Sequence, residues 1–353
     1  MTLAELGGWP SVLGLLSRRS DLTSDHSAAA LSALLSGEAT SAQIAGFCLA
    51  LRVKGETVEE IRGLLGAMLD RCEKVPVPAG LDPVDTCGTG GDRSSTINAS
   101  TIAALVVAGA GAAVCKHGNR AASSRCGSAD VLEALGVTVD VGPEGVAACL
   151  AEAGMAFCYA PRFHPALRHA GQTRRELGVP TVFNILGPLA NPAGVKRQAL
   201  GVSDPGLAEK VMGVLQANGA DRALVFYGHD GLDELSTVTT STVLELRDGE
   251  VRRSEVDPVS LGLDAADPGA LRGGDAATNA GLARRVLDGA PGPHRQFVLL
   301  NAAAGVVAAG LVDDLAAGLE VAAESVDSGR ASEVLERLVK VSAQQSGVPP
   351  AAG

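Results

Sequence analysis

VDTCGTGGD, residues 84–92, decides the fold: four residues suited to a buried strand run directly into a loop with three glycines in four positions. A helical run, STIAALVVAGAG (100–111), comes next. After it stand AAVCKHG (112–118), SADVLEALGV (128–137), VTVDV (137–141), EGVAACLAEAG (144–154) and MAFCYA (155–160). Short apolar strands alternating with helices predict parallel βαβ units, with VTVDV as one of the strands.

Upstream, residues 1–74 carry helical patterns such as TSAQIAGFCLALRVKG and TVEEIRGLLGAMLDRCEKV, in which apolar residues recur at three and four behind a capping Thr. VPVPAGLDP (75–83) breaks every helical pattern and marks a boundary. Downstream, HPALRHAGQTRRELG (164–178) is a helical interruption, and GPLANP (187–192) is a second breaker-rich stretch. The α/β pattern resumes with AEKVMGVLQANG and RALVFYG. STVLELRDGEVRRSEV (241–256) then predicts a hairpin turning at Asp248 and Gly249. Two further helices are expected to close the chain, and SGVPPAAG (346–353) reads as a disordered tail.

The 353 residues are 46% hydrophobic and 20% charged, with 44 glycines and few aromatics, so the core must be built from Ala, Val and Leu. A formal charge of −11 and a pI near 5.1 repel a nucleic-acid backbone, and no basic patch offsets that field. The seven cysteines lack CxxC spacing and read as reduced, buried thiols, so any metal should be a hard cation held by oxygen. The first residues make a poor secretory signal, and the longest apolar run, Ile102 to Cys115, is too short for a bilayer. The expectation is a cytoplasmic protein with no membrane partner.

Three loops concentrate chemistry. GTGGD (88–92) offers backbone amides next to a helix start, which suits an anion. Thr96, Asn98, Ser100 and Thr101 then crowd the first turn of an otherwise apolar helix; Asn98 alone would serve as the cap, and the surplus hydroxyls suit a phosphate or a metal. KHGNRAASSRCGSAD (116–130) gathers cationic and hydroxyl groups in a βα connection, with Ser128 in position to head the next helix. HDGLDELS (229–236) ends a strand with adjacent acids, Asp233 and Glu234, a pair suited to Mg²⁺ that retains waters and phosphate oxygens.

DTCGTGGD, NAST, KHGNRAASSRCGSADVLEALG, RRELGVPTVFNILGPLANP and DGLDELS, in this order, resemble the motif series of the anthranilate phosphoribosyltransferases. The resemblance continues through GGDAATNAGLARRVLDG and LLNAAAGVVAAG, so it covers essentially the whole chain. It implies a helical domain of residues 1–74 with inserted helices at about 165–186, beside an α/β domain of 75–164 and 187–345. It also implies a homodimer, two Mg²⁺ ions, and transfer of a phosphoribosyl group from phosphoribosyl pyrophosphate to anthranilate, the second step of tryptophan biosynthesis from chorismate. Carried onto this sequence, phosphoribosyl pyrophosphate would meet Gly88, Gly91, Asp92, Thr96, Asn98, Ala99, Ser100 and Thr101 on one side. Lys116, His117, Gly118, Asn119, Arg120, Ala121, Ala122, Ser123, Ser124 and Ser128 would meet it on the other. Gly88, Asn119 and Arg174 would line the anthranilate site, and Ser100, Asp233 and Glu234 would handle the metal. Cys87, Ala99 and Cys126 depart from the family's usual residues at packing or backbone positions. A pyrimidine nucleoside phosphorylase of the same fold, and a non-catalytic relative that binds nucleic acid, are the competing readings.

Overall fold

The computed structural model describes residues 1–92, 94–121 and 125–345. Four helices open the chain: α1 (Gly8–Ser17), α2 (Ser24–Leu35), α3 (Ser41–Lys54) and α4 (Val58–Leu69). Thr23, Thr40 and Thr57 cap the last three, and Thr40–Gln43 and Thr57–Glu60 close reciprocal capping boxes, so the chain directions here are set by local chemistry. The α/β part runs β1 (Val84–Gly88), α5 (Ala99–Gly109), β2 (Val114–Gly118), α6 (Ser128–Ala134), α7 (Pro143–Ala153) and β3 (Met155–Tyr159). Helices α8 (Ala160–Phe163), α9 (Arg168–Leu177) and α10 (Val182–Leu189) then interrupt it. It resumes with β4 (Arg197–Gly201), α11 (Pro205–Ala217), β5 (Arg222–Gly228), β6 (Ser241–Arg247) and β7 (Glu250–Val256). Helices α12 (Ala276–Leu287), α13 (Pro293–Ala308), α14 (Leu315–Asp327) and α15 (Arg330–Gln345) complete the described residues.

The seven strands form one sheet in the order β3-β2-β1-β4-β5-β6-β7. The first five are parallel, and the β5-β6-β7 rim is antiparallel. Successive strands pass from β1 outward through β2 and β3, then restart at β4 on β1's other side, so the order reverses between β1 and β4. In open α/β sheets the crevice beyond the carboxyl ends at such a reversal is where ligands bind. Alternation along the strands divides the core in two. Ala199, Leu224, Phe226 and Val243 face a layer built on α5, α7, α12 and α13, while Leu200, Ala223, Val225 and Leu244 face α10, α11 and the opening helices. α9 packs on α2 and α3, and α10 on α3 and α4, so the inserted helices share a core with the first four.

The hairpin turns at Asp248 and Gly249 (φ 52° and 79°), as its sequence predicts. Other expectations fail for identifiable reasons. VTVDV is not a strand: it pairs with no strand of the sheet, and its alternating valines, Val137, Val139 and Val141, enter the helical layer instead. Thr138 N–H donates to Ser342 Oγ on α15 (3.1 Å) in place of a ladder bond. GPLANP does not begin as a loop, because Gly187 and Pro188 form the last turn of α10. Four helices, not two, follow the hairpin among the described residues; Gly329, at φ 80°, divides the final periodic run into α14 and α15. The tail 346–353 lies outside the described residues.

Candidate active site

Backbone clearance builds the site. Gly88 ends β1 and Gly201 ends β4 beside it, and the HDGLDELS loop folds down onto both. A Cβ on Gly201 would overlap the Asp233 carbonyl group, and one on Gly88 would overlap the Asp233 carboxylate. The loop therefore approaches as closely as bare backbone permits. Asp233 Oδ2 accepts from Gly90 N–H (2.7 Å) across 143 residues of sequence, and Glu234 Oε1 accepts from Ser100 N–H (3.1 Å) at the start of α5. Gly90 and Gly91, at φ 66° and 88°, adopt the left-handed turn that aims these amides.

Lys116 reaches the same point from β2. Only 1% exposed, it donates through Nζ to the Thr86 carbonyl and to Ser100 Oγ (3.4 Å). Burial pushes the carboxyls of Asp233 and Glu234 up, and the charge of Asp92 on the first and of Asp233 on the second adds to the rise. Two adjacent acids, Asp233 buried and Glu234 half-buried, suit a hard divalent cation. Mg²⁺ keeps several waters and takes substrate oxygens, so a pair of carboxylates is enough protein to hold it.

Asn98 occupies the cap position of α5 but caps nothing. Its Nδ2 donates to Cys126 O (3.1 Å), and its Oδ1 accepts from Asn279 on α12 (2.8 Å), so it ties the two phosphate-type loops together. Thr101 Oγ1 is buried without a partner among the described residues, and Ala99 is fully buried. Thr96 bridges to Arg272, and Asp92 accepts from Ser94 Oγ (2.5 Å). Ser128 is the first residue of α6, not its cap; Gly127 holds that position, with its N–H on Asp130 (2.8 Å). Gly118 leaves no room for a Cβ against Phe157, and Asn119 O accepts from Ala129 N–H (3.1 Å). Ala121 N–H donates to Asp130 (2.9 Å). Arg120 stands apart, forked onto Glu133 (2.5 and 2.7 Å) and bonded to Tyr159. Ala122, Ser123 and Ser124 lie outside the described residues.

The other wall is α10 with its neighbours. Arg174 is half-buried over the Phe183 ring at 4.9 Å, without an ion-pair partner among the described residues, while Arg175 beside it is exposed. One turn along α10 from Phe183, Gly187 O meets His117 Nδ1 (2.9 Å). The carbonyl can only accept, so Nδ1 carries the proton. Burial pushes the His117 pKa down to about 3, and the neutral ring therefore keeps a lone pair on Nε2, a buried atom with no partner among the described residues. His164, whose ring lies 5.1 Å from that of His117, repeats the arrangement: Nε2 faces Ala190 O (2.9 Å), and Nδ1 has no partner among the described residues. Glycine clearance at 88 and 201, Asp85, Asn191, His164 and Asn279 are features that motif reading does not single out.

The buried imidazoles set a pH dependence. His164 is pushed from 6.5 to about 4 by burial, so the unfolded chain binds its proton first as pH falls. The stability this histidine contributes is present above about pH 6.5 and lost toward pH 4. Denaturant unfolding of His164→Gln and parent, compared at pH 7 and 4.5, should show the parent losing on the order of 2 to 3 kcal/mol more than the variant. Parallel losses would mean that His164 is already charged in the fold.

The family described as "Glycosyl transferase family, a/b domain" matches residues 81–332, and "Glycosyl transferase family, helical bundle domain" matches residues 10–72. The chain is 53% identical to the anthranilate phosphoribosyltransferase of Rhodococcus jostii over 335 residues, 93% of this chain and 92% of that one. It superposes with a TM-score of 0.88 on the crystal structure of anthranilate phosphoribosyltransferase from Thermus thermophilus, at 42% identity, covering 94% of this chain and 99% of that one. The Saccharomyces cerevisiae enzyme, solved in complex with phosphoribosyl pyrophosphate and Mg, superposes at 0.87 with 28% identity, covering 95% and 98%. With 4-fluoroanthranilate bound, the yeast enzyme superposes at 0.86 with 27% identity, at the same coverage.

Proposed function

The chain belongs to the anthranilate phosphoribosyltransferases: it transfers the phosphoribosyl group of phosphoribosyl pyrophosphate to the amine of anthranilate, releasing pyrophosphate, and we propose how its residues divide that work. The observation that carries the assignment is the convergence of Gly90, Ser100, Lys116, Asp233 and Glu234 at the point where the strand order reverses.

Cleavage of the bond between the ribose carbon and pyrophosphate leaves positive charge on the sugar and adds negative charge to the leaving group. Electrostatic neutralisation of pyrophosphate is then the main catalytic requirement. The Lys116 ammonium and the amides of Gly88, Gly91 and their loop supply it from the chain, with Asp92, Thr96, Asn98 to Thr101, Asn119 and Ser128 holding the phosphates and ribose. Asp233, Glu234 and Ser100 would hold Mg²⁺, assigned here as two ions, which when bound neutralises the leaving pyrophosphate. The anthranilate amine is unprotonated near neutral pH and needs positioning more than deprotonation.

Arg174 is assigned to the anthranilate carboxylate, with Gly88 and Asn119 lining the same pocket. Its guanidinium is fixed on Phe183 with no acid to neutralise it among the described residues, so a carboxylate finds paired donors. The helical grouping of residues 1–74 with 165–186 beside 75–164 and 187–345, a homodimer, and a cytoplasmic location complete the reading. No helix among the described residues is long and apolar enough to cross a membrane.

The test follows anthranilate fluorescence in the full chain. Consumption should require both phosphoribosyl pyrophosphate and Mg²⁺; phosphorolysis of thymidine or uridine in its place would overturn the assignment. In the same assay Arg174→Ala should raise the anthranilate KM about ten- to hundredfold, the equivalent of a charge-assisted bond of roughly 1.5 to 3 kcal/mol, and Arg175→Ala far less. An unchanged KM in the Arg174 variant would remove the carboxylate role.

A further inference from the structure

β1 pairs with β4 at all five of its residues but with β2 only at Val84 and Val114. Past that pair the ladder is replaced by side chains. His117 N–H, which points toward β1, donates to Asp85 Oδ1 (3.2 Å). Cys115 O, two residues earlier on the same edge, accepts from Asn191 Nδ2 (2.7 Å), and the Thr86 carbonyl on the facing edge accepts from Lys116 Nζ. Asn191 Nδ2 donates its second hydrogen to Asp85 Oδ2 (2.9 Å), and its Oδ1 accepts from Ala193 N–H (2.9 Å). Asp85 is 0% exposed and Asn191 2%. A carboxylate and a carboxamide have thus been inserted into the middle of a parallel sheet, with a partner for both carboxylate oxygens, for the amide oxygen and for both amide hydrogens. The strands would otherwise close on each other, and Lys116 would lose the gap through which it reaches Ser100.

We infer that Asp85 and Asn191 form a polar wedge that holds β1 and β2 apart, and that they are positioning residues for Lys116. Neither touches substrate in this account; both act through the lysine. The inference rests on the assignment of Lys116 to pyrophosphate made above. Asp85→Asn keeps the shape but turns an acceptor into a donor facing the Asn191 amide. Flipping that amide would strand Cys115 O, so the change cannot be absorbed locally.

The experiment is a double-mutant cycle on the full-length enzyme, with phosphoribosyl pyrophosphate and anthranilate varied separately. Asp85→Asn should lower kcat/KM for phosphoribosyl pyrophosphate by about tenfold while moving the anthranilate KM less than about twofold. In the Lys116→Ala background the same substitution should cost less than about twofold, because the group it positions is gone. Asn191→Ala, which removes no charge, should repeat the pattern and carries the test where Asp85→Asn does not fold. Equal losses in both backgrounds, equal losses for both substrates, or no loss at all would overturn the wedge. A Lys116→Ala enzyme with parental kinetics would instead overturn the assignment of Lys116 itself.

Discussion

Asp233→Asn combined with Glu234→Gln is expected to lower turnover by about a thousandfold at millimolar Mg²⁺, the scale of losing a preorganised electrostatic stabiliser. The double variant should fold normally. Both amides retain an oxygen to accept from Gly90 N–H and Ser100 N–H, so the loop keeps its anchors. Burial raises both carboxyls in the parent, helped by the charge of Asp92 on Asp233 and of Asp233 on Glu234, so neutral replacements relieve an unfavourable charge and the unfolding midpoint should hold or rise. Steady-state kinetics across a Mg²⁺ titration, with circular dichroism as the control, reads the result. Parental turnover with parental metal dependence would sink the assignment of these acids to Mg²⁺.

Gly201→Ala is the second large effect, on the order of a hundredfold in turnover. The added methyl would occupy the space of the Asp233 carbonyl group, which is backbone and cannot rotate aside, so the HDGLDELS loop must lift from the sheet. Lifting it by even an ångström takes the acids away from Gly90 and Ser100, and a misplacement of that size costs about a hundredfold. Gly66→Ala on α4 is the matched control: nothing lies within 4 Å of its added Cβ, so activity should be parental and stability higher by about 0.5 to 1 kcal/mol. If the Gly201 variant turns over and depends on Mg²⁺ as the parent does, close backbone approach is not what seats the acids.

What the sequence discloses follows from which forces act locally. Capping threonines, the Asp248–Gly249 turn and the alternation of strands and helices are local, and they are found where their residues predict them. The convergence of GTGGD, Lys116 and the Asp233–Glu234 pair on one point is also foreseeable, because Lys116 lies in the carboxyl-terminal half of a parallel strand and the other two follow such strands, so all gather at one end of the sheet. Asn98 and Ser128 look like caps, but tertiary bonds from Asn279 and a better-placed Gly127 take over. VTVDV has a strand's pattern, but its valines are taken up by the helical layer. Asp85 sits inside an apolar strand and Asn191 inside a breaker-rich stretch, and neither position shows its role until the β1–β2 ladder is seen to stop after one pair. Gly201 is one glycine among 44, and only the loop lying over it distinguishes it.

The sheet's two rims differ in a way that bears on the protein's behaviour in crowded solution. β3, at one end, is an apolar strand buried along nearly its whole length, whereas β7, at the other, is exposed from Glu250 to Glu255 and carries EVRRSE. An unpaired strand edge invites a neighbouring chain to add to it, and alternating charge on an exposed rim makes that addition costly. The folded enzyme therefore presents only its guarded border to other molecules. The vulnerable border is uncovered while the chain is still incomplete, so self-association should be a hazard of the ribosome-bound or partly unfolded chain, not of the mature one.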